Sequence, residues 1–317
     1  MSSQEVALRL LVLGSDQGWH AEQLMTAAKR AGHTLEFAPY ESLASELDGQ
    51  GSHRCYCDAG SLEDFDAVLT RTMPVGSLEQ ITFRLATLHS FLNAGGVVIN
   101  SPRALETAID KYATLAVVQS LGFDVPATVV VQSRRGAMQA FDRLGSDVVV
   151  KPIFGGEGRG VMRVRDRQLA WTTFSTLERL GAVSYVQRFV PPGGIDTRLF
   201  VVGDQVWGIR RRSTDDWRTN VSQGAVSEAV AVTAAQRELA LRIADKIGIA
   251  IGSVDVIDAS DGPARVLEVN AVPGWKGAQQ ALGFPLADPM IDLVASQVLR
   301  NRAQASTTTA SVVRSAV

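Results

Sequence analysis

The spacing of apolar residues changes period several times along the chain, and the changes mark out elements. Residues 8–13 form a continuous apolar run, the pattern of a strand buried on both faces, and Gly14-Ser15-Asp16 closes it as a turn. Over residues 19–30 the apolar residues Leu24, Ala27 and Ala28 fall at helical spacing, and Gly32 follows as a stop. Short strand-like runs recur at 35–38, 67–69 and 96–99, with a helical stretch over 77–91 between the last two. Strand and helix in alternation predict a parallel sheet with crossover helices. The turn after the first strand, Gly14-Ser15-Asp16-Gln17-Gly18, lacks the G-x-G-x-x-G dinucleotide fingerprint, which argues against a nicotinamide-dependent oxidoreductase built on this sheet.

The pattern differs beyond residue 100. Ser101 as N-cap and Pro102 at the first helical position predict a helix reaching about Ser120, which Gly122 stops. Strand-like runs follow at 127–131, 148–150, 183–190, 199–202, 206–212, 251–257 and 265–269, with helices near 136–144, 169–180 and 239–247. The second two-thirds therefore read as α+β, largely antiparallel. Residues 49–60 break the periodicity with Gly, Ser, Asp and both cysteines and read as a surface loop. Residues 303–317, rich in Ala, Ser and Thr, read as a disordered tail.

Composition narrows the classes. With 46% hydrophobic and 20% charged residues in 317, the chain has enough apolar side chain for a sizeable core. A net charge of −2 leaves no global basic field, which argues against a general nucleic-acid binder. No apolar run is long enough to span a membrane, and the first one lacks a signal-peptide cleavage site. Cys55 and Cys57, one residue apart, are poor disulfide partners, so a reducing cytoplasm is expected. His53-x-Cys55-x-Cys57-Asp58 has metal-ligating residue types without the second ligand pair of structural zinc sites. A loop with two free thiols is the plainer reading.

Four segments carry candidate chemistry. Residues 148–150 deliver Lys151, and Gly155, Gly156, Gly158 and Gly160 then return the chain into a second apolar run. Glycine lets backbone N–H groups approach an anion closely, although a plain flexible turn has the same composition. The loop is not a Walker A motif, because no Gly-Lys-Ser/Thr follows. In Leu267-Glu268-Val269-Asn270, strand alternation turns Glu268 and Asn270 to one side and Leu267 and Val269 into the core. Two oxygen donors on one face suit Mg²⁺, and antiparallel pairing would bring Asp255 beside Glu268. The alternative is a solvated polar face. Arg210-Arg211-Arg212 and Trp217-Arg218-Thr219-Asn220 offer guanidinium groups for carboxylate or phosphate, or form a solvated charged loop. Tyr185 to Val190 reads as a strand running into an extended hinge before Pro191-Pro192.

The order Lys111, Lys151, glycine loop, hinge, arginines, Asp255, Glu268-x-Asn270 resembles the ATP-grasp superfamily and, within it, the RimK-type glutamate ligases. The resemblance covers roughly residues 100–300. Its most specific pieces are Gln187-Arg188-Phe189, Asp196-Thr197-Arg198-Leu199-Phe200, Trp217-Arg218-Thr219-Asn220, Val254-Asp255-Val256 and Leu267 through Gly274. It implies an ATP-grasp fold preceded by a Rossmann-like preATP-grasp domain. The expected divisions are 1–100, a central subdomain 101–184, a C-terminal subdomain 185–302 and the tail 303–317.

The resemblance also implies roles. Lys111 and Lys151 would contact ATP phosphates, with Gly155, Gly156, Gly158 and Gly160 closing over them. Gln187, Arg188, Phe189 and Val190 would line the adenine pocket, with Asp196 near the ribose. Asp255, Glu268 and Asn270 would hold Mg²⁺, or Mn²⁺ in its place. Arg198, Arg211, Arg218 and Asn220 would surround the acyl phosphate and the substrate carboxylates. Arg188 stands where related ligases often have glutamate, so any side-chain role there is in question. The implied reaction is an ATP-dependent carboxylate–amine ligation through an acyl phosphate, adding L-glutamate to a small cofactor or a peptide tail, in a homo-oligomer. Pro273-Gly274-Trp275-Lys276 is similar to the branch acting on pterin cofactors, although Trp275 packing under the metal strand explains the aromatic equally well. A non-catalytic ATP-binding regulator, or a ligase for another amino acid, is the alternative.

Overall fold

The structure, a computed structural model, describes residues 6–156, 158–219 and 224–315, with side chains as far as 306. The alternating N-terminal pattern forms β1 (Arg9–Leu13), α1 (Trp19–Arg30) and β2 (Thr34–Ala38). An antiparallel excursion follows, β3 (Ala44–Leu47), β4 (His53–Cys57) and β5 (Gly60–Ser61), and then β6 (Ala67–Thr70), α2 (Leu78–Asn93) and β7 (Val98–Ile99). β1, β2, β6 and β7 make a parallel sheet in the order β2-β1-β6-β7. Leu10, Leu11, Val12 and Leu13 are all buried, as their unbroken apolar run predicts.

The segment 49–60 is more ordered than a surface loop. Asp48 Oδ1 accepts from the Gln50 and Ser52 N–H groups at 2.7 and 2.9 Å, and this tight turn feeds β4. Along β4, exposed Arg54 and Tyr56 alternate with buried Cys55 and Cys57. The period-2 pattern was hidden because its inward residues are small thiols rather than large aliphatics. Both cysteines are free and pack with Tyr40, Leu62 and Phe65. No group of three or more His, Cys, Asp or Glu able to hold a metal occurs among the described residues.

The single helix expected from Ser101 to Ser120 is two, α3 (Pro102–Ile109) and α4 (Lys111–Ser120). Ser101 caps the first through the Ala104 N–H at 3.2 Å. Asp110 leaves helical geometry (φ −96°, ψ 109°), and its Oδ1 accepts from Tyr112 and Ala113 at 2.7 and 3.0 Å, capping the second. The apolar spacing runs on through the break, so periodicity alone missed it. The break places Lys111 at the first position of a new helix.

β8 (Thr128–Val131), α5 (Arg134–Arg143), β9 (Val148–Lys151), β10 (Met162–Val164), α6 (Arg167–Arg179) and β11 (Ser184–Arg188) form an antiparallel module ordered β10-β9-β11-β8. It has its own core of Ala137, Phe141, Val148, Phe174 and Val186. β12 (Ile195–Val202), β13 (Gln205–Arg212), β14 (Val226–Val230), α7 (Ala234–Ile247), β15 (Ile251–Ile257) and β16 (Arg265–Asn270) follow, their antiparallel sheet ordered β14-β13-β12-β15-β16. α8 (Lys276–Leu282) and α9 (Ala287–Ser315) end the chain.

Buried residues of α3 and α4 (Ala104, Leu105, Leu115, Val118) share a core with β12, β13, β15, β16 and α7, and with Tyr185 of the central module. Leu10, Val12 and Leu24 of the N-terminal unit share a core with Phe200, Trp275, Met290 and Ile291. α9 continues through Ser315 where composition predicts disorder. Its first turns, packed through Met290, Ile291, Val294 and Val298, supply a nucleus from which the helix propagates, each further residue adding one hydrogen bond. No described helix is long and apolar enough to cross a membrane.

Candidate active site

The central sheet and the β12–β16 sheet face each other across a cleft of about 830 Å³, within the size range of small-molecule sites. On one wall Lys151 ends β9, buried, and its Nζ donates to Gln187 Oε1 at 2.8 Å. Gln187 Nε2 in turn donates to Thr128 Oγ1 at 3.0 Å and Tyr185 Oη at 3.2 Å, which fixes the amide so that its oxygen meets the lysine. Burial pushes the Lys151 ammonium down to about 8 against the pull of Glu268, with Lys111 adding like-charge repulsion. Lys111 Nζ donates to the Gly155 carbonyl and stands 3.8 Å from Glu268. The Lys111 N–H donates to Ile153 O at 3.3 Å, tying α4 to the glycine loop. Gly155, Gly156, Gly158 and Gly160 all belong to the loop beside the cleft. Gly155 has φ +107° with nothing within 4 Å of an added Cβ, so the backbone conformation and not crowding requires glycine there.

On the opposite wall Asp255 and Glu268 are direct cross-strand partners. Beyond that pair the register shifts, Val256 pairing with Val266, so Leu267 is the extra residue of a bulge. The expected alternation therefore fails at one position. Val266 and Val269 are core residues, while Leu267 lines the cleft beside Glu268. Asn270 is paired with Ser253 in unbroken register from Glu268 and shares its face.

Asp255 is buried and bound by two arginines. Arg198 donates Nε to Oδ1 at 2.8 Å and Nη2 to Oδ2 at 2.7 Å, and Arg211 Nη2 donates to Oδ2 at 2.7 Å. Burial alone would raise its pKa, but the two guanidinium groups outweigh that and hold it below the usual carboxylate range. Arg211 also grips Asp196 in a fork at 2.7 and 2.6 Å, and the Thr219 hydroxyl donates to the same carboxylate. Asp196, expected beside a ribose, is thus a buried partner of Arg211 at the cleft floor. A carboxylate offers about four lone-pair sites. Asp255 receives three N–H donors and keeps one acceptor site on Oδ1. Glu268, partly exposed, faces only Lys111 among the described ion pairs. Two hard carboxylates and an amide on one strand pair fit a divalent cation of the Mg²⁺ type.

The hinge is pinned from behind: the Arg188 and Phe189 N–H groups donate to Ala127 O at 2.8 Å and Asp147 O at 3.0 Å. Phe189 meets Trp217 edge-on at 5.9 Å, and Arg163 lies over its ring at 3.3 Å. Val190 is buried at the cleft edge. The Arg188 side chain is exposed and pairs with Asp261 at 3.3 Å, so what this position offers the cleft is backbone. Arg218 reaches the cleft while clasping Asp216 Oδ2 at 2.9 and 2.6 Å. Asn220 lies outside the described residues.

Asn100, the residue before the predicted N-cap Ser101, carried no expectation from the sequence. Buried, Asn100 donates Nδ2 to Ile251 O and Ala271 O, both at 2.6 Å. Its Oδ1 accepts from Ala250 and Ile251 N–H at 2.7 and 3.0 Å. It thereby pins the two strands that carry Asp255 and Glu268. Its partners are 150 or more positions away, so no local signal marks it. Leu267 was expected in the core because strand alternation does not reveal the bulge, and Thr219 meets Asp196 from 23 positions away.

A sequence profile of the RimK-like ATP-grasp domain matches residues 108–294, and one of the RimK PreATP-grasp domain matches residues 8–105. The chain is 30% identical to the tetrahydromethanopterin:alpha-L-glutamate ligase of Methanosarcina acetivorans, over 89% of this chain and 97% of that protein. It is also 30% identical to the ribosomal protein bS6–L-glutamate ligase of Shigella boydii, over 90% and 94%. Among solved structures, the ATP-grasp ligase PsnB complexed with minimal precursor superposes with a TM-score of 0.73 at 22% identity, covering 92% of this chain and 99% of that one. A RimK domain protein from Sphaerobacter thermophilus gives 0.68 at 24%, covering 90% and 99%. At those identities the structures speak to the fold. Two profiles that together span most of the chain, and relatives matched over nearly their whole length, establish that this chain is a member of the RimK-like ATP-grasp ligase family.

Proposed function

We propose that the protein is an ATP- and Mg²⁺-dependent carboxylate–amine ligase that adds L-glutamate to an acceptor carboxylate through an acyl phosphate. The observation that carries this reading is the cleft in which Lys111, Lys151 and the glycine loop face Asp255 and Glu268. Similarity to ligases named for glutamate supports the amino acid.

In this reading Lys111 and Lys151 bind the phosphates, and Gly155, Gly156, Gly158 and Gly160 cover them. Gln187 to Val190 border the adenine, and Leu267 supplies an apolar surface beneath it. Asp255, Glu268 and Asn270 hold Mg²⁺, with Mn²⁺ a chemically similar substitute. When bound, the ion offsets the negative charge that builds on the transferring phosphoryl group. Arg198 and Arg211 keep Asp255 ionised and oriented. An acceptor carboxylate oxygen takes the γ-phosphoryl group and ADP leaves. The glutamate amine then attacks the acyl carbon, phosphate departs with the C–O bond electrons, and the amine proton is lost to solvent or base. Arg218 offsets the charge of the acyl phosphate, and the Asn220 amide donates a hydrogen bond to it. The acyl phosphate is hydrolysable, so a covering loop that excludes water preserves it. The setting is the reducing cytoplasm, where Cys55 and Cys57 remain thiols, and the protein acts as a homo-oligomer.

The test is release of ADP and phosphate with Mg-ATP, L-glutamate and a panel of acceptors: pterin cofactors, a deazaflavin and glutamate-ended peptides. Mass spectrometry reads a glutamyl increment on the acceptor. Glutamate-dependent release with one modified acceptor is expected. Release with another amino acid keeps the ligase and discards glutamate. ATP binding without release for any pair favours a nucleotide sensor.

A further inference from the structure

A second cavity opens at the carboxyl ends of β1, β2 and β6, where the turn after β1 and the first turn of α1 meet Tyr40, Arg71 and Thr72. This is the end of a parallel sheet at which open α/β folds place their ligands, and the nucleotide cleft does not include it. Arg71 is its distinctive group. Burial pushes its guanidinium down to about 10, and among the described residues it has no carboxylate partner.

Neutral groups hold the arginine in place. Nη2 donates to Pro273 O at 3.2 Å, the guanidinium lies over the Trp275 ring at 4.6 Å, and the Tyr40 hydroxyl donates to the Arg71 carbonyl at 3.1 Å. Trp275 is itself locked against His20, whose Nε2 accepts from the Trp275 N–H at 3.2 Å. Two acids line the cavity without an ion pair to Arg71 among the described residues: Asp16 is exposed, and Glu41 is 4.0 Å from Arg84. A positioned, partly desolvated cation without a counter-ion is costly to the fold and suited to a ligand anion. Arg71 also touches Pro273, three residues beyond Asn270, so an anion held there abuts the strand that carries Glu268.

We infer that this cavity binds a carboxylate of the non-nucleotide substrate, with Arg71 as its counter-ion. The assignment rests on the ligase reading for the identity of the substrate, and that carboxylate belongs either to the incoming amino acid or to the acceptor. Arg71 is a substrate-binding residue outside the cleft that Lys111 and Lys151 line.

The experiment uses the full chain as wild type, Arg71→Met, Arg71→Lys and Thr72→Glu. Thr72 is exposed on the cavity wall, so its substitution adds a repelling charge without disturbing the core. KM is measured separately for Mg-ATP, L-glutamate and the acceptor, and L-glutamate and glutarate are titrated calorimetrically without nucleotide. Arg71→Met and Thr72→Glu are expected to raise KM for one carboxylate substrate about tenfold or more, with that for ATP nearly unchanged and Arg71→Lys intermediate. The substrate whose KM moves identifies the source of the carboxylate. Unchanged KM values for both carboxylate substrates in Thr72→Glu overturn the inference, even where Arg71→Met does not fold. Should wild type turn over no glutamate pair, calorimetric binding of glutarate or glutamate that Thr72→Glu abolishes sustains the site while the ligase reading falls. No such binding then overturns the site as well.

Discussion

Lys151 joins burial to function through one proton. Its folded pKa of about 8 lies below its ordinary 10.5, so between those values the unfolded chain holds a proton that the folded chain lacks. The resulting penalty on stability is complete below about pH 8 and is relieved as pH rises toward 10.5. Phosphate binding has the opposite sign, because it requires the ammonium. The KM for Mg-ATP is therefore expected to rise from about pH 7 to about pH 9, and Lys151→Met to raise it throughout while flattening the pH dependence. Glu268→Ala is expected to abolish ADP formation while shifting the urea midpoint little, since the side chain is partly exposed and its one ion pair is long. Arg211→Met, by contrast, is expected to destabilise the fold. It strands the buried carboxylates of Asp196 and Asp255 and should cost about 3–5 kcal/mol in urea unfolding.

At the scale of elements, the break at Asp110 and the bulge at Leu267 do most to shape the cleft. Asp110→Ala removes an N-cap worth about 1 kcal/mol and frees the start of α4, which carries Lys111. It should lower the melting temperature slightly and raise KM for ATP more than an equally destabilising change at Ser133, which caps α5 away from the cleft. Both irregularities interrupt patterns that the sequence displays as regular. The apolar spacing of residues 102–120 and the alternation of 265–270 correctly identified a helical segment and a strand. They could not locate the one residue where each departs from ideal geometry, because a cap and a cross-strand register shift are set by partners outside the periodicity. The inward-facing thiols of β4 were hidden for a related reason: small side chains carry little periodic signal.

At the scale of the molecule, the central module has its own core, whereas the N-terminal sheet and the β12–β16 sheet share one through Phe200, Trp275 and α9. Asn100, directly after β7, fastens the N-terminal sheet to β15 and the end of β16. Asn100→Leu leaves two carbonyls and two N–H groups without their partner at about 1–3 kcal/mol each, so a large loss of stability is expected in urea unfolding. Ligand linkage gives a readout of the whole protein. Mg-ATP at about a hundredfold its dissociation constant should stabilise the fold by about 2.7 kcal/mol. In Glu268→Ala the part of that thermal shift which depends on Mg²⁺ should vanish.

The sequence by itself determined the alternating N-terminal sheet, the antiparallel remainder, and the residue types of the cleft in their order along the chain. Each of these follows from local periodicity or from motifs a few residues long. Only the tertiary structure decided that Asp196 and Asp255 share Arg211, that Leu267 faces the cleft, that Asn100 pins the strands carrying Asp255 and Glu268, and that Arg71, at a second cavity, has no carboxylate partner among the described residues. Those facts depend on ion pairs, register and burial between residues up to 202 positions apart. Separations of that size leave no trace in any local window of one chain.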